Sequence, residues 1–478
     1  MRGTLGDSAL FMLSILVPGA ISMVVLPFTT RILGPTEYGL VELCFAIGVV
    51  TTCLATLELP QGLARFLPEA RTPERRGEIG STTLTSCTFG LLLAAPFIML
   101  ASYLPQFSRL VPNDPLLRPA FCAALVCTGM QSVAVRHLRW SFRPISYLSA
   151  TVIASAITAA LTMVGLGYGR RLASSVLLAQ AAGSLISLLV SVALARGELR
   201  PAWYRPTFTR LSAFSVPLVL STLASMASSQ AGRILVAEQI GLAQAAHFGL
   251  ALRLAGILGL ATTALQMATT PAIYARHDHA DLPVWLASGA RLVLFTGLSL
   301  WIAVAELSSL AVRLIGGMEF SPSAPLVPIL CATLLVSCLG TFFPGLELML
   351  RTRTAALIAV GSGAFSLGAL VLLLPMGGLL AAATAPLVAC ILQLVLTIRA
   401  SQQILPAPHH WGRLLAACVI AGSAVSFVFI APKSPTVLIM RLALDAVLIL
   451  FLAWLLKAGE ALANWRAGMS AAQGDALP

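Results

Sequence analysis

The chain is 478 residues long, 58% hydrophobic and 10% charged, with a formal net charge of +12 and a mean hydropathy of +0.92. An average soluble domain carries about 25% charged residues, so a water-soluble fold is excluded, and the many bilayer-length apolar runs specify a polytopic helical membrane protein. The arginines are dispersed with no soluble fold to present them, so the positive balance reads as a topology signal and an attraction to anionic lipid headgroups, not as nucleic-acid binding.

A helical span takes about 20 mostly apolar residues. In chain order, spans fall near 8–30, 39–58, 79–101, 119–135, 144–166, 172–195 and 211–232. They continue near 243–270, 286–309, 326–349, 354–374, 377–398, 411–430 and 436–456, about fourteen in all. The first apolar run continues to about Thr30 with no small-residue cleavage pattern, so it reads as a retained span and not as a signal peptide. Only "LPMGG" separates spans eleven and twelve. Connections are short, and no soluble domain fits between spans.

With the N-terminus inside, nineteen of the 30 basic residues fall on inner loops and tails, nine fall on the outer side, and Arg253 and Arg291 lie within spans. Lys and Arg accumulate on the cytoplasmic side, which places both termini there. The nine cysteines all fall in apolar runs without zinc-type companions. They read as small buried residues, with no disulfide, metal site or cofactor expected.

Two short phrases match. "TTRILGPTEYGL" spans residues 29–40 and "AGRILVAEQIGL" spans 231–242, each between apolar runs. Their offset of roughly 202 to 207 residues equals six spans. An even number of spans gives both copies the same orientation, hence a parallel six-plus-six repeat, unless two "RIL" triplets coincide by chance. Transporters built from such repeats place the substrate between the halves. The expected division is 1–210, an N-terminal six-helix bundle; 211–400, a C-terminal six-helix bundle; and 401–478, two additional helices and a cytoplasmic tail.

"RILGPTEYGLVELCFAIGVVTTCLATLELPQGLARFLPE" resembles the first-half signature of the Wzx-type oligosaccharide flippases of polysaccharide biosynthesis. Their superfamily also holds multidrug/toxin extruders and lipid-linked peptidoglycan precursor flippases. The stretch "RHLRWSFRPISYLSA" is similar to the family's arginine-rich inner loop before span five. "HFGLALRLAGIL" resembles its span-eight stretch and places Arg253 at the family arginine. The resemblance covers spans one to eight, and the last third only by hydropathy. It departs at Gly232, where the family often has an acid just before the arginine of span seven. It implies a flippase of the bacterial inner membrane that moves a polyprenyl-diphosphate-linked oligosaccharide outward by alternating access. The implied partners are that substrate and membrane lipids, together with polysaccharide polymerase and glycosyltransferases.

An ionisable group within a span needs a partner, a wet cavity or an interface. Arg253, about ten residues into span eight, reads as a cavity cation for an anionic headgroup or as a buried arginine satisfied by carbonyls or an acid. Arg31, Arg233 and Arg65, near span ends, read as cavity cations or as snorkelling anchors. Arginine suits pyrophosphate because its planar fork donates two parallel hydrogen bonds without losing charge. Glu42 and Glu58 on span two read as structural partners of arginines, as gates or as coupling groups. His247 and Gln266 of span eight read as polar cavity lining and as candidate gating or coupling groups. Gln180, Gln230 and Gln393 are expected to bond between helices. Asp445 and Arg441, one turn apart, are expected to neutralise each other, and Glu306 and Glu347 to lie at interfaces. His277 and His279 have His-x-His spacing with no third ligand, and read with His409 and His410 as loop residues.

Enzymatic signatures are missing: there is no phosphate loop with lysine and no His-Glu-x-x-His. Two rivals remain. A cation-coupled multidrug exporter of the same superfamily needs cavity acids, whereas the candidates here are mostly basic. A polytopic polysaccharide polymerase or ligase needs a large outer loop.

Overall fold

The computed structural model describes residues 5–70, 72–103, 114–168, 171–275, 279–349, 351–430 and 435–474. Arg2, Arg71, Arg109, Arg170, Arg276, His277 and Lys433, which entered the charge and loop readings above, lie outside them.

The described residues are almost entirely helical, because in lipid only closed hydrogen-bonding patterns satisfy the backbone and a helix does so within one segment. The first helix, α1 (Leu5–Thr56), holds spans one and two and is broken at Gly34, whose φ of 71° is non-helical. There follow α2 (Leu59–Phe66), α3 (Pro73–Ala101), α4 (Leu117–Trp140), α5 (Pro144–Tyr168), α6 (Ala173–Leu194) and α7 (Arg205–Gln239). Next come α8 (Leu242–Ala275), α9 (Leu282–Gly316), α10 (Leu326–Leu339) and the single turn α11 (Gly345–Leu348). The chain ends with α12 (Thr352–Ile404), α13 (Trp411–Ile430), α14 (Pro435–Leu455) and α15 (Ala458–Gly474).

Nine helices among the described residues are long and apolar enough to cross a membrane, or ten if the bent pair Ile439–Leu455 and Ala458–Arg466 is one span. Two of the nine are double: α1 bends at Gly34 and α12 at Gly378 (φ 55°), inside "LPMGG". Both breaks therefore fall where the sequence divides spans one from two and eleven from twelve. Expected span ten is not continuous: a 3-10 turn, Gly340–Phe342, separates α10 from α11.

The chain forms two compact units. One holds Met1–Gly249 with Ile315–Glu319, and the other holds Leu250–Leu314 with Phe320–Pro478. In the first, Leu59 and Leu63 of α2 and Leu67, the residue that caps it, lie at helical spacing against Ile79, Cys87, Val133 and Leu211 of α3, α4 and α7. A second cluster joins Ala134 and Leu138 of α4, Ala150 of α5 and Leu188 of α6. In the second unit, Leu294, Leu298 and Ile302 of α9 pack with Ala417, Ala421 and Val425 of α13 and Leu452 of α14. Large side chains left uncovered, such as Phe97, Leu100, Leu357, Leu372 and Trp454, are what lipid-facing helices present. All nine cysteines are free thiols. Cys418 differs from the buried position expected of it, since it lies exposed on α13.

Candidate functional site

The two matched phrases meet in the first unit. Each breaks a helical path at a glycine of positive φ: Gly34 at 71° and Gly241 at 116°, a conformation that costs glycine little and other residues much. The helices that follow approach so closely that a Cβ on Gly39 would sit 1.8 Å from the Leu242 carbonyl oxygen. A Cβ on Gly249 would meet Glu42 Cγ at 2.5 Å. Only glycine permits either contact. Beside them, the Thr30 hydroxyl donates to the Ile315 carbonyl at 2.8 Å.

Glu42 occupies the centre of this junction and has no exposed surface. The Tyr38 hydroxyl, one turn earlier, donates to Glu42 Oε1 at 2.8 Å. Arg233 Nε stands 3.6 Å from Glu42 Oε2, near enough for charge attraction and too far for a good hydrogen bond. Arg233 Nη1 also donates to Gln230 Oε1 at 3.3 Å. The Arg233 side chain is 19% exposed and that of Glu42 1%, so this pair is largely withdrawn from solvent. His247 is buried nearby in sequence, on the first turns of α8. An acid thus does meet the span-seven arginine, and it comes from span two, not from the position of Gly232.

Glu58 lies elsewhere in the same unit. Leu57 and Glu58 adopt left-handed φ values of 50° and 54°, which turn the chain sharply out of α1 into α2. Non-glycine residues rarely adopt this conformation, and such outliers concentrate at functional sites. The turn buries Glu58 in the wall of a cavity of about 400 Å³. Thr52, Thr56, Thr128, Ser132 and Gln180 add polar groups to that wall, and among the described residues Arg136 is its one basic side chain. Gln180 also donates to Ser184 within α6 at 3.2 Å. The expected bond between helices is made by Gln393, which accepts from Ser362 across the α12 break at 3.2 Å.

The remaining candidates are apart from these. Arg65, on α2, is exposed and paired with Glu69, while Arg65 and Arg210 both lie over the Phe66 ring, at 5.7 and 4.4 Å. Arg31 is exposed at the end of the first limb of α1, whereas Arg253 and Gln266 are half-buried on α8 in the second unit.

Three side chains that the sequence reading left unpaired form a clasp in the first unit. His137 Nε2 lies 2.9 Å from Glu198 Oε2, and Arg143 pairs with the other carboxylate oxygen. Arg143 also donates to the Leu194 carbonyl at 3.2 Å. Burial pushes the Glu198 carboxyl up, but the His137 hydrogen bond and the Arg143 and His137 charges outweigh it and hold the group below its ordinary value. The segment carrying Glu198 is strapped to α3: Ser81 donates to the Glu198 carbonyl at 3.2 Å, and Thr85 to that of Ala202 at 3.1 Å. Partners 61 residues apart leave no local sequence signal.

Two expectations in the second unit are corrected. Arg441 pairs with Glu306, Nη2 to Oε2 at 2.7 Å, and not with Asp445 one turn along its own helix. Glu306 is accordingly no interfacial residue, since its side chain is 4% exposed. Helical spacing allowed the local pair, but Glu306 lies closer across the helix seam. Glu347 accepts from the Tyr274 hydroxyl at 3.2 Å.

A family model described as "Polysaccharide biosynthesis protein" matches residues 5–275. No curated protein matches the chain. Among solved structures, the lipid II flippase MurJ in an inward closed conformation aligns with a TM-score of 0.67 at 12% identity, over 93% of this chain and 98% of that one. An inward-facing multidrug resistance MATE family transporter of the MOP superfamily aligns at 0.62 with 13% identity, over 82% and 97%. A Vibrio cholerae MATE transporter aligns at 0.55 with 16% identity, over 84% and 95%. At these identities the likeness is one of fold.

Proposed function

We propose that this chain, which belongs to the polysaccharide biosynthesis protein family, is a flippase for a polyprenyl-diphosphate-linked oligosaccharide. It moves that lipid from the cytoplasmic to the outer leaflet of the bacterial inner membrane by alternating access, with both termini cytoplasmic. The observation that carries the reading is the family match, which spans more than half the chain, on a fold also used by a lipid II flippase.

The sugar and pyrophosphate would travel between the expected bundles 1–210 and 211–400, with the prenyl tail left in lipid. Arg31, Arg65, Arg233 and Arg253 are its candidate cations. Arg233 is engaged by Glu42 in this conformation, so it reaches a pyrophosphate only when that acid lets go. Glu42 therefore acts as a gate, releasing a phosphate-binding fork as the junction opens. Glu58, in its cavity wall, is the candidate coupling group, with His247 and Gln266 as polar lining on α8.

The test uses purified protein in liposomes and a fluorescent polyprenyl-diphosphate oligosaccharide whose outward exposure is timed. Wild type is expected to translocate it. Arg253→Ala is expected to slow it by roughly tenfold or more, the kinetic value of a charge-assisted hydrogen bond of about 1.5–3 kcal/mol. Arg253→Lys would restore only part, because lysine keeps the charge and loses the fork. No translocation by wild type overturns the reading.

A second reading, a cation-coupled drug exporter, is favoured by the aligned MATE transporters. It requires drug resistance on overexpression that Glu58→Gln abolishes. Sugar-lipid transport without resistance rejects it.

A further inference from the structure

Glu306, Arg441 and Asp445 form a charged cluster inside the second unit, where membrane-length helices of the chain pack together. Arg441 on α14 donates to Glu306 on α9 at 2.7 Å and to the Val428 carbonyl on α13 at 3.1 Å. One guanidinium thus ties three helices. The side chains of Glu306 and Arg441 are 4% and 10% exposed. Asp445, one turn beyond Arg441, faces the same cavity as Glu306. Both acids line a cavity of about 260 Å³ that also touches Ser423, Phe427, Leu444 and Leu448.

Two carboxylates against one guanidinium leave a net negative charge among apolar side chains. Two oxygens make the imbalance concrete: Glu306 Oε1 and Asp445 Oδ2 are both buried without a hydrogen-bond partner. A buried acceptor left unsatisfied is costly, and two neighbouring carboxylates in one apolar site cannot both ionise readily. One proton answers both costs. It makes the cluster neutral and turns an acceptor oxygen into a donor that its neighbour can use. A metal ion fits poorly, because a hard cation takes about six oxygens, whereas the cavity offers the two acids and the Ser423 hydroxyl. Among the described residues, no other titratable side chain of α9, α13 or α14 lines the cavity.

We propose that Glu306 and Asp445 are a proton-binding site, with Arg441 as its fixed counter-charge, in the seam between α9, α13 and α14. The bound proton bridges the two carboxyls, and its departure leaves the seam negatively charged. Proton occupancy thereby sets how favourably α13 and α14 seat on α9. This site is separate from the Glu42 junction and the Glu58 cavity, and it stands whether or not the chain carries a sugar-linked lipid.

The experiment labels the purified full-length chain in lipid nanodiscs with dicyclohexylcarbodiimide, which reacts with protonated carboxyls in apolar surroundings, and maps the adduct by mass spectrometry. Labelling is expected at Glu306 or Asp445 near about pH 6, and about tenfold less near about pH 9. Asp445→Asn leaves Glu306 as the single acid, paired with Arg441 and ionised, so its labelling is lost at both values. Labelling that does not change with pH, or none at either residue at either pH, overturns the proposal. Should Asp445→Asn fail to fold, wild type alone decides by infrared titration: a protonated-carboxyl stretch must appear on acidification. Its absence overturns the proposal as surely.

Discussion

Glu42 is held from two directions, by the Tyr38 hydroxyl on its own helix and by the Arg233 charge from α7. Removing the carboxylate strands a cation that is only 19% exposed, and a stranded buried charge costs more than the pair contributes. Glu42→Ala is expected to lower stability by about 2 kcal/mol, below the range for a fully buried pair because Arg233 retains some water. Glu42→Gln keeps an acceptor for Tyr38 and loses about half as much. Thermal midpoints by size-exclusion survival check the order, and equal losses would show that the Tyr38 hydrogen bond adds nothing to the charge pairing. His409 supplies a pH dependence. It is buried between the Phe343 and Trp411 rings, at 4.8 and 5.0 Å, in the connection outside the spans before α13. Burial first, then the Arg291 and His410 charges, push its imidazole from 6.5 down to about 4. As pH falls, the unfolded chain takes up the proton before the folded one does. Stability contributed by neutral His409 is therefore whole above about pH 6.5, declines down to about pH 4 and is spent below it. The full fall is about 3 kcal/mol, and His409→Phe, which keeps the ring and removes the titration, is expected to flatten the slope of thermal midpoint against pH between those values.

Helices were the legible part of this fold, because apolar run length is a property of consecutive residues and the bilayer sets the length required. The α1 and α12 breaks were legible for a local reason as well: "LGP" and "LPMGG" concentrate the residues that interrupt a helix. The break at Gly340–Phe342 was passed over because "CLGTFFPGLELML" is mostly apolar and hydropathy does not register hydrogen-bond geometry, although its Gly340 and Pro344-Gly345 are of the same helix-interrupting kind. The left-handed turn at Leu57 and Glu58 escaped for the same reason, and it takes the acid at the expected end of span two into a cavity wall. Contacts between elements were less legible still. The Gly39 and Gly249 approaches give glycine a role that its neighbours in sequence do not announce. Arg441 illustrates the limit: its acid at helical spacing was visible, while the acid it binds lies 135 positions away. Charged residues could be named as candidates from the chain alone, but which of them meet depends on how helices seat against one another.

Sidedness connects these local features to the entire chain. The C-terminal helix α15 returns onto the start of α9: the Trp465 and Trp285 rings stack at 4.1 Å, and Trp285 Nε1 donates to the Trp465 carbonyl at 3.3 Å. The two tryptophans therefore share one end of the second unit. In the expected fourteen-span path, α9 begins after eight crossings and α15 after fourteen, so the six crossings between them return the chain to the same side, as the stack requires. An odd count there would force Trp465 across the bilayer from its partner. In the proposed orientation, with its nineteen-to-nine excess of basic residues, that side is the cytoplasm. Fusions of green fluorescent protein and of alkaline phosphatase, made after Ile404, within 431–434 and after residue 478, test the assignment. The first and last positions are expected to give fluorescence without phosphatase activity, and the middle one the reverse. Phosphatase activity at the C-terminus alone would break the even count between α9 and α15. Activity at both the first and last positions would keep the count and invert the orientation.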